Sequence, residues 1–281
     1  MQKREKRVYP PRGGHHPIAD ISAKPVKDDA ELLRRIDLCV VMDATGSMQN
    51  YIDAARQELK NFASALSTHS LRPRVAYGLV LYRDHPPQDT SFVTQLYPLS
   101  ENINDIQRAL DTAKADGGGD GPEAVIDGLY DAVHKLEWRK GAHKVVMLAG
   151  DAPPHGVGDS GDSFPRGCPC GHTLQAITSV AKEKGVIIFC LGIGEDSFMR
   201  RSFQQTAIDG GGKYVSLNNA NTLIDEVMSL VKHEFSNVEI DRLVYSGYKP
   251  DLSASSIAST IGLSIKQVED SIIRLRRKEM I

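Results

Sequence analysis

Three aspartates stand just beyond short apolar runs: Asp43 after Ile36–Met42, Asp84 after the run ending in Leu81-Tyr82-Arg83, and Asp151 after Val145-Val146-Met147-Leu148-Ala149-Gly150. A fourth, Asp120, sits in Gly117-Gly118-Gly119-Asp120-Gly121-Pro122 ahead of an amphipathic run. Two hydroxyls, Thr45 and Ser47, follow Asp43 at i+2 and i+4. If these groups meet, carboxylates 4–5 Å apart repel by roughly 3–4 kcal/mol per pair at an effective dielectric near 20, so a cation should lie among them. Carboxylate, hydroxyl and water oxygens suit magnesium, manganese or calcium and do not suit copper or zinc.

The elements around these residues explain why they would meet. Ile36–Met42 reads as a buried strand, and Met48, Ile52, Ala55, Leu59, Phe62 and Leu66 recur at the 3–4 spacing of a helix packed on a sheet. Val75, Tyr77, Leu79 and Leu81 alternate as a second strand, with Ser91–Leu99 expected to pair with it as an antiparallel edge. Further strands are expected at Val145–Leu148, Val186–Ile193 and near Tyr214. Helices are expected around 103–113, 124–136, 173–184 and 219–234, with another between Ile193 and Tyr214. This alternation predicts an α/β, Rossmann-like fold: a mainly parallel sheet with helices on both faces. Ligands of such sheets bind beyond the carboxyl ends of the strands, where the aspartates fall.

The segment Asp43-Ala44-Thr45-Gly46-Ser47-Met48 resembles the opening signature of von Willebrand factor type A (vWA) domains, whose metal-ion-dependent adhesion site (MIDAS) binds a divalent cation. Gly118–Ala124 resembles the family's second segment, and Val145–Asp151 its third. The resemblance covers roughly Ile36 to Phe235. It implies that Thr45 and Ser47 ligate the ion directly, that Asp43 and Asp151 bind it directly or through water, and that an acidic side chain of a partner protein completes the shell. Many members carry Thr where this chain has Asp120, so the added charge should hold the ion more firmly and attract an acidic ligand less. The expected metal set is Asp43, Thr45, Ser47, Asp120 and Asp151, with Mg2+, Mn2+ or Ca2+ as the ion. Asp84, His85 and His155 are expected as outer-shell or recognition residues.

Other chemistries fit less well. A haloacid-dehalogenase-type phosphatase needs a second carboxylate where this chain has Thr45, and the glycine run lacks the Lys-Ser or Lys-Thr of a P-loop. A metal-dependent hydrolase using His155 or Asp84 as base is an alternative, but binding without catalysis is the expectation. Cys168, Cys170 and His172 could form a zinc site with His155, although a folded loop with free thiols is the default reading. Cys39 and Cys190 read as core packing.

The chain has 281 residues, 41% hydrophobic and 25% charged, with a formal net charge of −2. This balance argues against a protein built around nucleic acid or an anionic membrane. Lys3, Arg4, Lys6 and Arg7 are followed by Pro10, Pro11, Gly13 and Gly14 where a signal peptide would be apolar, and no run is long enough to span a bilayer, so a cytoplasmic location is expected. We divide the chain into a flexible arm (1–34), a vWA-like domain (35–235) and a helix-turn-helix-like extension (236–281). In that extension Lys266, Arg274, Arg276 and Arg277 are candidate DNA or partner contacts, opposed by Glu269, Asp270 and Glu279. A DNA-binding or regulatory protein acting through this extension is the alternative to a cation-dependent protein-binding module.

Overall fold

The computed structural model describes residues 31–69, 72–119 and 121–281. Most of the expected N-terminal arm, and Asp120, lie outside the described residues. Six strands form one sheet: β1 (Arg35–Asp43), β2 (Arg74–Tyr82), β3 (Thr94–Ser100), β4 (His143–Gly150), β5 (Val186–Ile193) and β6 (Gly211–Leu217). Their order is β3-β2-β1-β4-β5-β6; β3 is an antiparallel edge strand and all other pairings are parallel. The helices are α1 (Gln49–Ser67), α2 (Ile103–Thr112), α3 (Val125–Tyr130), α4 (Leu174–Glu183), α5 (Ser197–Asp209), α6 (Leu223–Gly247), α7 (Ala254–Ile261) and α8 (Ile265–Arg277). The expected α/β architecture and its antiparallel edge are therefore present.

Alternation along β1 divides the core, because successive side chains of a strand point to opposite faces. Ile36, Leu38 and Met42 pack with Ile52 and Phe62 of α1, Leu110 of α2 and Val231 of α6. Cys39 and Val41 face the other way, onto Leu129 of α3, Ile177 of α4 and Phe203 of α5. Cys39 and Cys190 are both buried here, free and without a disulfide. The chain leaves β1 toward β2 on one side and returns through β4 on the other. The strand order thus reverses between β1 and β4, and their carboxyl ends, Asp43 and Gly150, flank the crevice this creates.

Two elements differ from the sequence expectation. The helix expected over 124–136 is α-helical only to Tyr130 and continues as a π-helical turn through Lys135. The helix expected to end near Glu234 runs on to Gly247, because Val238 and Val244 extend its apolar face and bury it against different partners. Val238 belongs to the main core, whereas Val244 packs with Leu33, Ile257, Ala258, Val268 and Leu275 in a small cluster under α7 and α8. Gly262 joins those two helices in the left-handed region (φ +74), and Ser264 opens α8 with a reciprocal capping box.

Charged side chains dock this hairpin as well. Asp241 of α6 is fully buried; it accepts hydrogen bonds from Ser271 Oγ (2.8 Å), Arg274 Nη2 (2.7 Å) and Lys278 Nζ (2.9 Å). Beside it, His143 and Glu234 pair at 2.5 Å, and Lys278 also reaches His143 Nδ1. This corrects one expectation. Arg274 is not a free contact for DNA, because its guanidinium is held by Asp241 within the fold; Lys266, Arg276 and Arg277 remain exposed.

Candidate metal centre

β1 delivers Asp43 to the carboxyl edge of the sheet, and the chain turns at once through Ala44 and Thr45 into a short 3-10 turn (Gly46–Met48) that leads into α1. Thr45 donates to Asp43 Oδ1 twice, through its amide (2.8 Å) and its hydroxyl (2.7 Å). The other oxygen, Asp43 Oδ2, is buried and has no hydrogen-bond partner among the described residues. Burial, together with the nearby charges of Asp151 and Asp84, pushes the Asp43 carboxyl up to about 7 against the opposing pull of Thr45. A buried carboxylate oxygen in this setting is suited to a cation, which would restore its charged form.

Above Asp43 a cleft of about 310 Å³ is lined by Thr45, Ser47, Gly117, Gly118, Glu123, Asp151, Asp159 and Asp196, among others, and by no lysine or arginine among the described residues. Thr45 is buried, Asp151 half-buried and Ser47 exposed at the rim, so oxygen atoms are graded from floor to solvent. The glycine-rich segment is held against the metal turn by Asp116 N–H donating to Ala44 O (3.1 Å) and Gly46 N–H to Gly117 O (3.4 Å). Gly117 has φ +80, and a Cβ there would overlap Asp89 Oδ2; a Cβ on Gly118 would lie 3.4 Å from Thr45 Cβ. Only glycine lets this segment approach so closely. Thr45, Ser47 and Asp151 thus line one cleft, with Asp43 bonded to Thr45 beside it, and the chemistry of this set fits a hard divalent cation.

The expected outer residues separate into two groups. Asp84 is fully buried, and its Oδ1 accepts from the His85 amide (2.6 Å) and faces His155 Nε2 (2.7 Å). The other ring nitrogen of His155 faces Asp162 Oδ1 (2.9 Å), so this imidazole ties β2 to the loop after β4. His155 therefore does not complete the zinc site considered above, since both its nitrogens are engaged. His172 is not among the groups that converge on Cys168; its ring stacks on Tyr130 at 3.9 Å. The His85 ring turns away toward Asp127 and Cys168.

Sequence reasoning missed Glu123, Asp159, Asp196 and Arg83. Asp196 lies just past β5, so the strand-end rule that selected Asp43 and Asp151 would have found it, although its Oδ1 also caps α5 through Met199 N–H (2.6 Å). Glu123 stands beside the glycine motif and bridges to Pro154 through its backbone. Arg83 carries no motif signal; it is buried and clasps three segments, donating to Ala44 O (3.1 Å), Ser91 Oγ (2.7 Å) and Lys114 O (2.7 Å).

The fold is shared with known proteins. The von Willebrand factor type A domain model matches residues 37–229, and the chain belongs to that family, whose MIDAS-bearing members bind divalent metal and mediate protein contacts. It is 30% identical over 142 residues to the alpha-protein kinase vwkA of Dictyostelium discoideum, covering 50% of this chain and 22% of that protein. It is 24% identical over 274 residues to an ariadne-like RING finger protein of Acanthamoeba polyphaga mimivirus, covering 86% of this chain and 26% of that one. The chain thus spans about a quarter of the length of these curated relatives. Among solved structures, proximal thread matrix protein 1 of the mussel byssus, with zinc in its MIDAS motif, superposes with a TM-score of 0.51 at 18% identity, covering 70% of this chain and 46% of that one. The pilus adhesin SpaC of Lactobacillus rhamnosus GG gives 0.52 at 20% identity, covering 74% and 30%. At these identities the structural likeness is one of fold. No helix among the described residues is long and apolar enough to cross a membrane.

Proposed function

We propose that this chain is an intracellular, non-catalytic module that binds a divalent cation, Mg2+ or Mn2+, between Asp43, Thr45, Ser47, Asp120 and Asp151 and uses it to grip an acidic group on a partner protein. The observation that carries this reading is the buried Asp43 Oδ2, unpartnered among the described residues, beneath a cleft that these residues line with carboxylates and with no basic side chain. The ion would neutralise the floor, and its outward coordination position would accept a carboxylate. Thr45 and Ser47 contribute neutral oxygens, so the site does not repel an acidic ligand as strongly as an all-carboxylate cage would. Binding is favoured over hydrolysis because His155, the histidine considered as a base, has both ring nitrogens committed to Asp84 and Asp162. Calorimetry with Mg2+ or Mn2+ tests the ion: saturable heat is expected from the wild type and none from Asp43→Ala. No heat from the wild type, or unchanged heat from the variant, refutes the reading. Partner capture is tested by pull-down in magnesium against chelator, where a partner retained equally in both refutes the metal-mediated grip.

A further inference from the structure

Apart from this cleft, three chain segments bring sulfur, nitrogen and oxygen ligands to one point. His85 follows β2, Asp127 lies in the first turn of α3, and Cys168 and Cys170 belong to the loop between β4 and α4. His85 Nε2 lies 2.9 Å from Asp127 Oδ2 and 3.2 Å from Cys168 Sγ, and the Cys168 thiol donates to Asp127 Oδ2 at 2.9 Å. These three atoms lie within 4.8 Å of one another. Cys170 is not one of this converging set; it lies two residues along the same loop, with its Sγ accepting from His172 N–H (3.4 Å), and is the candidate for a fourth ligand. Cys168 is buried, and His85, Asp127 and Cys170 are half-buried.

We propose that Cys168, Cys170, His85 and Asp127 form a tetrahedral zinc site, separate from the strand-edge cleft, that fastens the β4–α4 loop to the body of the domain. A zinc ion with bonds of about 2.0–2.3 Å separates its ligand atoms by roughly 3.3–3.8 Å, so the observed triangle needs to open by only a few tenths of an ångström. Two thiolates select zinc over magnesium or calcium. Binding releases the two thiol protons to solvent and leaves a site of two thiolates, one carboxylate and a neutral imidazole around the dication. The local backbone is arranged for this: Gly171 sits at φ +74, its N–H closing a turn onto Cys168 O (3.0 Å), and His172 N–H points at Cys170 Sγ (3.4 Å), where it would steady a thiolate. A Cys-His-Asp nucleophile is the competing arrangement. There the imidazole would relay between sulfur and carboxylate through opposite nitrogens, whereas here a single nitrogen faces both, as converging ligands do. With four protein ligands the site is closed, so its role is structural: it holds the loop whose other residues, Asp151 and Asp159, line the cleft.

The test uses the full chain, reduced, stripped with chelator and loaded with zinc or cobalt(II). One zinc per chain that withstands excess magnesium, and a thiolate-to-cobalt charge-transfer band, are expected; Cys168→Ser and Cys170→Ser should each abolish or strongly weaken that band. Ser47→Ala, placed at the oxygen site, should retain it, which separates this site from the proposed MIDAS ion. Absence of the band in the wild type, thiols that react with Ellman's reagent equally fast with and without zinc, or a band lost in Ser47→Ala but kept in Cys168→Ser would overturn the proposal.

Discussion

Replacing Asp43 with asparagine sets stability against metal binding at a single atom. In the metal-free protein the Asp43 carboxyl is buried, leaves Oδ2 unpartnered and titrates near 7 instead of 3.8. Because the folded value lies above the unfolded one, the unfolded chain releases this proton more readily. Folding stability therefore falls as pH rises from about 4 to about 7 and is flat above that. A displacement of this size corresponds to a penalty on the order of 4 kcal/mol at pH 8, and water entering the cleft lowers it to about 2–4 kcal/mol. Asp43→Asn removes the charge while its carbonyl still accepts from Thr45. In chelator at pH 8 the variant should melt roughly 5–15 °C above wild type, the difference shrinking toward pH 4. Magnesium should close most or all of this gap, since ligand at a hundredfold over Kd stabilises wild type by about 2.7 kcal/mol and the variant by nothing. Thermal melts across pH, with magnesium and with chelator, measure both effects. A variant no more stable than wild type in chelator at pH 8, or one that gains as much from magnesium, would refute the charge-repulsion account of the site.

Three further substitutions probe the scaffold. Asp241→Asn should cost about 3–5 kcal/mol, because it strands the Arg274 and Lys278 charges against α6; faster proteolysis around residues 247–253 and faster hydrogen exchange in α8 are the expected signs. His155→Gln should loosen the loop over residues 151–173, read as hydrogen exchange. Burial lowers the His155 pKa but the hydrogen bonds and charges of Asp84 and Asp162 outweigh it and raise the value, so the wild-type loop is protected below pH 6.5 and loses protection as pH climbs past the raised value, a step the variant should lack. Gly117→Ala should cost about 1–3 kcal/mol and weaken ion binding, since its φ of +80 disfavours a side chain and the added Cβ meets Asp89; unchanged magnesium affinity by calorimetry would show that the glycine segment does not shape the site.

The parts of this protein that repeat a short-range pattern were readable from the chain. The buried apolar runs at Ile36–Met42 and Val145–Leu148, the alternation of Val75, Tyr77, Leu79 and Leu81, helical spacing from Met48 to Leu66, and the placement of Asp43 and Asp151 just past apolar runs follow from local pattern and from the rule that parallel sheets present their strand ends together. Thr45 and Ser47 were legible because hydroxyls beside a strand-end aspartate stand out at i+2 and i+4. Helix ends were less legible. Nothing local marks where the helix beginning at Leu223 stops, and its continuation to Gly247 depends on α7 and α8 being there to cover Val244.

What only the tertiary structure decided is the pairing of groups far apart in sequence. The chain presents nine histidines and four cysteines, and spacing made His155 and His172 the natural companions of Cys168 and Cys170. Folding instead commits His155 to Asp84 and Asp162, stacks His172 on Tyr130 and brings His85 and Asp127 to the Cys168 sulfur. Likewise Arg274, a surface cation by its helical position, is captured by Asp241, which lies 33 residues away. Periodicity determines which face of an element is buried, because that depends on neighbours a few residues along. Which polar group satisfies which depends on how elements dock, and one sequence position can meet partners from any of them.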